Sequence, residues 1–320
     1  MQLSNETRNA PANAIDSTGN HLFWSRTPEE SLIKSISDFG QVAPILVRDT
    51  EHGLELIAGH GRLAALHQQG SLVLMRMVNA DTDIEKGLLY MTDNSQRPLD
   101  DGMRLAALRY FHPLMDTKGL QSDIMPRLGV KPKSKDAKLF LAWLELPSIW
   151  QANLVAGRVP LAAAAPLARM DNADRSAVEP LFTSFSWSRS NAVNILNWLF
   201  ESSKMTDSPV ADVMDKAGMN DIMRQGLSPK DTIARLTASA NEARYPELSK
   251  LQNHFATTAR ELSAGTKWRI IQPNNFETNG AEITIQIKDA EQLLQAVTDL
   301  EAMAQLSPWQ EIWKLGGKND

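Results

Sequence analysis

Between Thr27 and Asp93 the hydrophobic period changes repeatedly, and this alternation constrains the fold more than any other feature of the chain. A spacing near 3.6 residues marks a helix, and a short apolar or alternating run marks a strand. A segment that switches between the two must pack a sheet against helices. "TPEESLIKSISDFG" predicts a helix with Thr27 as N-cap, Pro28 in the first turn and Glu30 closing a capping box; Leu32, Ile33, Ile36 and Phe39 share one face before Gly40. "APILVRD", "LELIAG" and "LVLMRMV" predict three short strands, the first two split by the turn-like "TEHG". Residues 1–22 lack a period and are rich in Asn, Ser and Thr, which predicts a flexible arm. The expectation is a small α/β domain over residues 23–97.

Beyond Pro98 the pattern turns helical through residue 202, with "PLDDGMRLAALRYF", "SKDAKLFLAWLEL" and "PLAAAAPLARM" separated by Gly and Pro. Residues 203–245 are polar and read as a linker with short helices, and residues 246–320 form a carboxy-terminal unit. There "KWRIIQP" and "AEITIQIK" flank a turn containing Asn279 and Gly280; Ile283, Ile285 and Ile287 share one strand face, and a helix from Asp289 aligns Leu293, Val297 and Leu300. A ββα unit of roughly 40 residues has too little core to stand alone, so a homodimer is expected. The fold class is α+β, in two or three domains for 320 residues at 42% apolar content.

Composition removes several classes. With no cysteine there are no disulfides, thiolate zinc sites or cysteine nucleophiles. A polar amino terminus and the lack of any long apolar window predict a cytoplasmic protein without a membrane span. A net charge of −5 means that any polyanion must be held by a local patch.

Two stretches carry chemistry. In "IAGHGRLAALHQQG" a strand ends at Ala58, Gly59 permits a tight turn, and a helix opens near His60; free amides there, with Arg62 able to fork onto oxygens, would hold an anion. In "LLYMTDNSQRPLDDGMR" Asp93, Asn94 and Arg97 cluster at a helix end, where a carboxylate, an amide and a guanidinium could hold hydrated Mg²⁺ and a phosphate. Separately, "LQSDIMPRLGVKPKSKDAKLFLAWLELP" reads as a helix-turn-helix. Asp123 caps its first helix, Gly129 makes the turn and Ser134 caps the second, with Ala137, Phe140, Leu141 and Leu144 inward and Lys135, Lys138 and Leu139 outward. Lys131, Lys133, Lys135 and Lys138 against Asp136 give this acidic chain a local charge of four minus one, or +3.

The order of these motifs resembles the ParB family of chromosome and plasmid partition proteins. "SISDFGQVAPILVRD", "LELIAGHGRLAAL" and "DNSQRPLDDGMRLAAL" are similar in sequence and spacing to the family's three amino-terminal boxes, G-x-x-Q-P-I, G-E-R-R and E-N-x-x-R. The resemblance implies an amino-terminal ParB/sulfiredoxin-like domain that binds CTP with Mg²⁺ through Gly59, His60, Arg62, Asn94 and Arg97, with Asp93 toward the metal. It also implies a middle domain that binds a double-stranded centromere site through Lys131, Lys133, Ser134, Lys135 and Lys138, a dimerising carboxy terminus and a ParA-type ATPase as partner. Sulfiredoxin's own chemistry needs a thiol, which this chain lacks. His60 and Gly61 stand where the family has glutamate and arginine, and Ala43 where it has glutamine, so the expectation is nucleotide binding with weak CTP hydrolysis at most. Two other readings are a transcriptional regulator of a mobile element without nucleotide switching and a nuclease on the same fold.

Overall fold

The computed structural model describes residues 2–273, 276 and 280–315. The chain is α+β and divides into two compact units, residues 1–196 and 197–320. This division does not fall at the 97/98 boundary that the sequence suggests. Residues on both sides of that point belong to one core, where Phe23 packs edge-on against Tyr90 and Phe111 at 5.1 and 6.2 Å between ring centroids. Among the described residues no helix is long and apolar enough to cross a membrane.

The first unit opens with the expected arm, and here the sequence misleads. Gln2–Pro11 forms strand β1 and Ile15–Asp16 forms β2. They are followed by α1 (Glu30–Phe39), β3 (Ile45–Thr50), β4 (Gly53–Ala58), α2 (His60–Gln68), β5 (Leu72–Asn79) and α3 (Asp83–Asp93). The strands make one sheet in the order β1-β5-β3-β4-β2, with β1 antiparallel to β5, β5 parallel to β3, β3 antiparallel to β4, and β4 parallel to β2. β1 and β2 are its edges; the polar sequence of β1 is that of a solvated edge, which is why its strand character does not show as hydrophobic alternation. The central strands are apolar because both faces are covered: Ile45, Val47, Leu56 and Ile57 are fully buried.

Helix α1 begins later than predicted. Its N-cap is Glu29, with no side-chain cap, and Thr27 and Pro28 are not helical. The face also differs: Ile36 is buried, Leu32 and Ile33 are half-buried, and Phe39 is 79% exposed.

The rest of the first unit is helical: α4 (Asp101–Phe111), α5 (Thr117–Gly119), α6 (Lys135–Leu144), α7 (Ser148–Val155), α8 (Ala164–Arg169), α9 (Asn172–Ser184) and the first part of α10 (Arg189–Thr206). Asp100 caps α4, its Oδ1 accepting from Met103 N at 2.7 Å. The cap of the next helix is Asp116, whose Oδ1 accepts from Gly119 N at 2.7 Å. From there the helix runs on as a π turn over Leu120–Ile124 and a 3₁₀ turn over Met125–Leu128 before Gly129, at φ +73°, ends it. Asp123 is therefore interior to the helix and is not its cap. Ser134 does cap α6, its Oγ accepting from Ala137 N at 3.1 Å. The large side chains of this half, Phe111, Phe140, Trp143 and Trp150, are fully buried or nearly so and pack as core.

The second unit holds the end of α10, α11 (Val210–Lys216), α12 (Met219–Arg224), α13 (Pro229–Arg244), α14 (Pro246–Leu262), β6 (Arg269–Ile271), β7 (Glu282–Thr284), α15 (Ala290–Ala304) and α16 (Trp309–Lys314). The stretch expected to be a linker with short helices includes α13, which is 16 residues long. β6 and β7 pair antiparallel; of the turn predicted between the strands, Asn279 lies outside the described residues. The ββα unit is not bare, as its sequence suggests: α14 and α16 supply Phe255, Leu262, Trp309 and Ile312 to a core that also takes Met303, Ile283 and Leu300. What stays outside is a strip of α15, with Leu293, Leu294 and Val297 at 49%, 71% and 48% exposure.

Candidate functional site

The turn from β4 into α2 is built around Gly59. Its φ of +99° is a conformation that side chains with a Cβ avoid, and a Cβ there would stand 2.7 Å from Ile45 Cγ2. Gly59 is the N-cap of α2 and offers no side-chain acceptor, so the first amides of that helix keep no side-chain cap. This is the local arrangement that holds an anion.

Arg62 lies one turn in. Its Nη1 donates to Pro44 O at 2.8 Å and its Nη2 donates to Asp93 Oδ2 at 2.7 Å, both side chains being about four-fifths buried. Asp93 is the last residue of α3, so this ion pair ties the two predicted halves of the site together. Asn94 caps the carboxy end of α3, its Nδ2 donating to Tyr90 O at 2.9 Å. Arg97 donates from Nη1 to Trp24 O at 3.1 Å. His60 presents a buried Nδ1 without a hydrogen-bond partner. All six predicted residues, Gly59, His60, Arg62, Asp93, Asn94 and Arg97, line one cavity of about 820 Å³.

Sequence reasoning missed a third wall. Trp24, Arg26, Tyr90 and Asp100 also line the cavity. Trp24 is fixed there by its backbone N–H on Tyr90 Oη at 3.2 Å and by its indole N–H on Met103 O at 2.8 Å. Burial raises the Tyr90 phenol above its ordinary value, so it serves as a neutral hydroxyl. The signal that could have found this wall is the Phe23–Trp24 pair, two aromatic residues directly after a polar stretch.

The electrostatics are balanced. Arg26, Arg62 and Arg97 face Glu29, Asp93 and Asp100 around the cavity, and three charges of each sign cancel. An anion would be held by directed donors rather than by net positive charge. The donor set suits a phosphate well. For a metal it offers little beyond Asp93 and Asp100; among the described residues no three His, Asp or Glu side chains gather to bind an ion. Such a set fits Mg²⁺ only in the manner of a cation that takes most of its ligands from phosphate and water.

At the predicted DNA segment, Lys131, Lys133, Lys135 and Lys138 are all exposed, and Ser134 is half-buried as the α6 cap. Leu139, expected outward, is only 8% exposed and belongs to the buried face, while Leu141 is half-buried. A helix packed on more than one neighbour buries more than a single stripe, which shifts Leu139 inward.

No protein-family model matches the chain, and comparison with curated proteins gives no match. Among solved structures the chain is similar to the C-terminally truncated chromosome-partitioning protein ParB from Caulobacter crescentus complexed to the centromeric parS site, at 20% identity and a TM-score of 0.38, covering 59% of this chain and 98% of that one. The same Caulobacter protein complexed with CTP-γ-S matches at 24% identity and a TM-score of 0.26, covering 56% and 99%. A Pnob8-like ParB-N domain matches at 14% identity and a TM-score of 0.35, covering 79% and 98%.

Proposed function

We propose that this chain is a ParB-type, site-specific DNA-binding protein whose amino-terminal cavity takes CTP. One observation carries the reading: the two motifs that resemble the family's second and third boxes converge, through the Arg62–Asp93 pair, on one cavity beside the uncapped amino end of α2. In this reading the α2 amides and Arg62 hold the phosphates, while Asn94 and Arg97 shape the wall through their bonds to Tyr90 O and Trp24 O. Mg²⁺, when bound with the nucleotide, would neutralise charge on the phosphates, and Asp93 is the residue that would hold it. His60 offers an imidazole where the family has a glutamate, so turnover is slow and nucleotide release resets the site.

The exposed lysines before and along the start of α6 hold duplex DNA by phosphate contacts, with a salt dependence of roughly −3 to −4 in log affinity for four contacts. The apolar strip of Leu293, Leu294 and Val297 supports a homodimer through the second unit. A ParA-type ATPase is the partner that a partition role implies.

A second reading, a regulator without nucleotide switching, is favoured by the charge balance of the cavity, because Arg62 is engaged by the carboxylate of Asp93 at 2.7 Å. The nuclease reading finds no carboxylate cluster for two metals among the described residues.

Calorimetry with CTP and Mg²⁺ on the full chain, in the presence of cognate DNA, tests the proposal. Arg62→Ala should weaken CTP by tenfold or more, as loss of a charge-assisted hydrogen bond of about 1.5–3 kcal/mol requires. Absence of CTP binding by the unaltered chain leaves the regulator reading in its place.

A further inference from the structure

The second unit carries a polar cavity of about 420 Å³, lined by residues from the end of α10, from α11 and from α13. Neither the nucleotide nor the DNA reading uses it. Two bonds tie its walls together: Arg244 of α13 donates from Nε to Glu201 Oε2 of α10 at 2.7 Å, and Ser239 of α13 donates from Oγ to Ala217 O at the end of α11.

Among the lining residues, Ser202 is the one whose hydrogen bonding the fold leaves incomplete. It is 2% exposed, and its Oγ is buried without a hydrogen-bond partner. A helical hydroxyl can donate to the carbonyl one turn back, as Thr206 does to Ser202 O at 2.9 Å. Ser202 makes no such bond. A buried hydroxyl left unpaired costs stability that alanine in its place would not, so its retention calls for a partner from outside the chain.

The charges at the cavity point to what that partner is. Lys216 and Glu242 both line it, both are exposed, and among the described residues neither takes part in an ion pair or hydrogen bond. Opposite charges that share a cavity without pairing leave one cation and one anion available to a guest. Val213 and Ala243 also line the site and suit a short aliphatic body.

We propose that this cavity binds a free α-amino acid with a short aliphatic side chain, its carboxylate held by Lys216, its ammonium by Glu242, and Ser202 completing its hydrogen bonding on the guest. A ligand with a single charge would satisfy only one of the two side chains, whereas a zwitterion meets both. The proposal is independent of the nucleotide and DNA readings.

The test titrates the full chain with L-valine, followed by ligand-observed NMR and calorimetry, with L-alanine and L-leucine to either side of it in size. A ligand this small in an open site should bind with a Kd on the order of 1 mM. Isovalerate, which lacks the ammonium, and isobutylamine, which lacks the carboxylate, should each bind about tenfold more weakly. Lys216→Met should weaken L-valine about tenfold and leave isobutylamine unchanged, while Glu242→Gln should weaken L-valine equally and leave isovalerate unchanged. Both positions are exposed, so the variants keep the fold. Ser202→Ala should weaken L-valine while its Tm without ligand is equal or higher, the sign of a hydroxyl kept for binding. No saturable binding of any of the three amino acids by the unaltered chain up to about 50 mM overturns the proposal, as does L-valine binding that both charge variants leave unchanged. Neither result bears on CTP or DNA binding.

Discussion

Substituting Gly59 by alanine tests the geometry on which the cavity depends. At φ +99° a residue with a Cβ sits outside its favoured regions, at a cost of about 1–2 kcal/mol. The added carbon would also lie 2.7 Å from Ile45 Cγ2 and 3.0 Å from Ile45 Cβ. Ile45 is fully buried in β3 and has no free space to enter, so overpacking adds about 1–3 kcal/mol. Together Gly59→Ala should destabilise the first unit by about 2–5 kcal/mol, lowering its Tm by about 4–20 °C. Gly129→Ala is the matched control: it too is left-handed, at φ +73° and ψ 17°, and a Cβ there meets nothing within 4 Å, so only the backbone term applies. The assay is thermal unfolding of both variants by circular dichroism, supported by scanning calorimetry to separate the units. If Gly59→Ala is no less stable than Gly129→Ala, the close approach of the α2 turn to β3 is wrong and the cavity wall must be redrawn.

The remaining expectations concern the dimer and acid stability. Leu294→Glu with Val297→Glu, at exposed positions of α15, should leave the fold intact and convert a dimer to a monomer in light scattering; a dimer that persists moves the interface elsewhere. His21 is 2% exposed with Nε2 donating to Leu56 O at 2.8 Å, and burial pushes its pKa below the ordinary 6.5. The unfolded chain therefore takes up a proton that the folded one resists, so this contribution is complete above pH 6.5 and is lost as pH falls below it. The acid-side fall in Tm should be shallower in His21→Gln, and an identical pH profile would assign the acid lability to other groups.

How much of this was legible in the sequence depends on how each residue signals. The predicted motif residues signal by type and spacing, and the fold brings all six of them to one cavity. Ser134 was readable as a cap because a hydroxyl before a helical run has a local role. Edge strand β1 was not, since its residues are polar and its partner β5 lies distant in sequence, from Pro11 opposite Leu72 to Gln2 opposite Asn79, so nothing local marks it. Trp24 escaped for the same reason: its place is set by Tyr90 and Met103, which are distant in sequence. The true start of the helix before Gly129 was hidden because Asp116 and Asp123 are both plausible caps, and a π turn breaks the period between them. Leu139 was misplaced because a helical wheel records one apolar stripe, whereas α6 packs on several helices.

Footprinting of the full chain on random genomic fragments, with and without CTP and Mg²⁺, tests the central claim most directly. The account predicts a confined protected site without nucleotide and protection that spreads outward from that site when CTP is present, with Arg62→Ala keeping the first pattern and losing the second. A confined footprint indifferent to CTP in the unaltered chain, or cleavage of the fragments in place of protection, would contradict it.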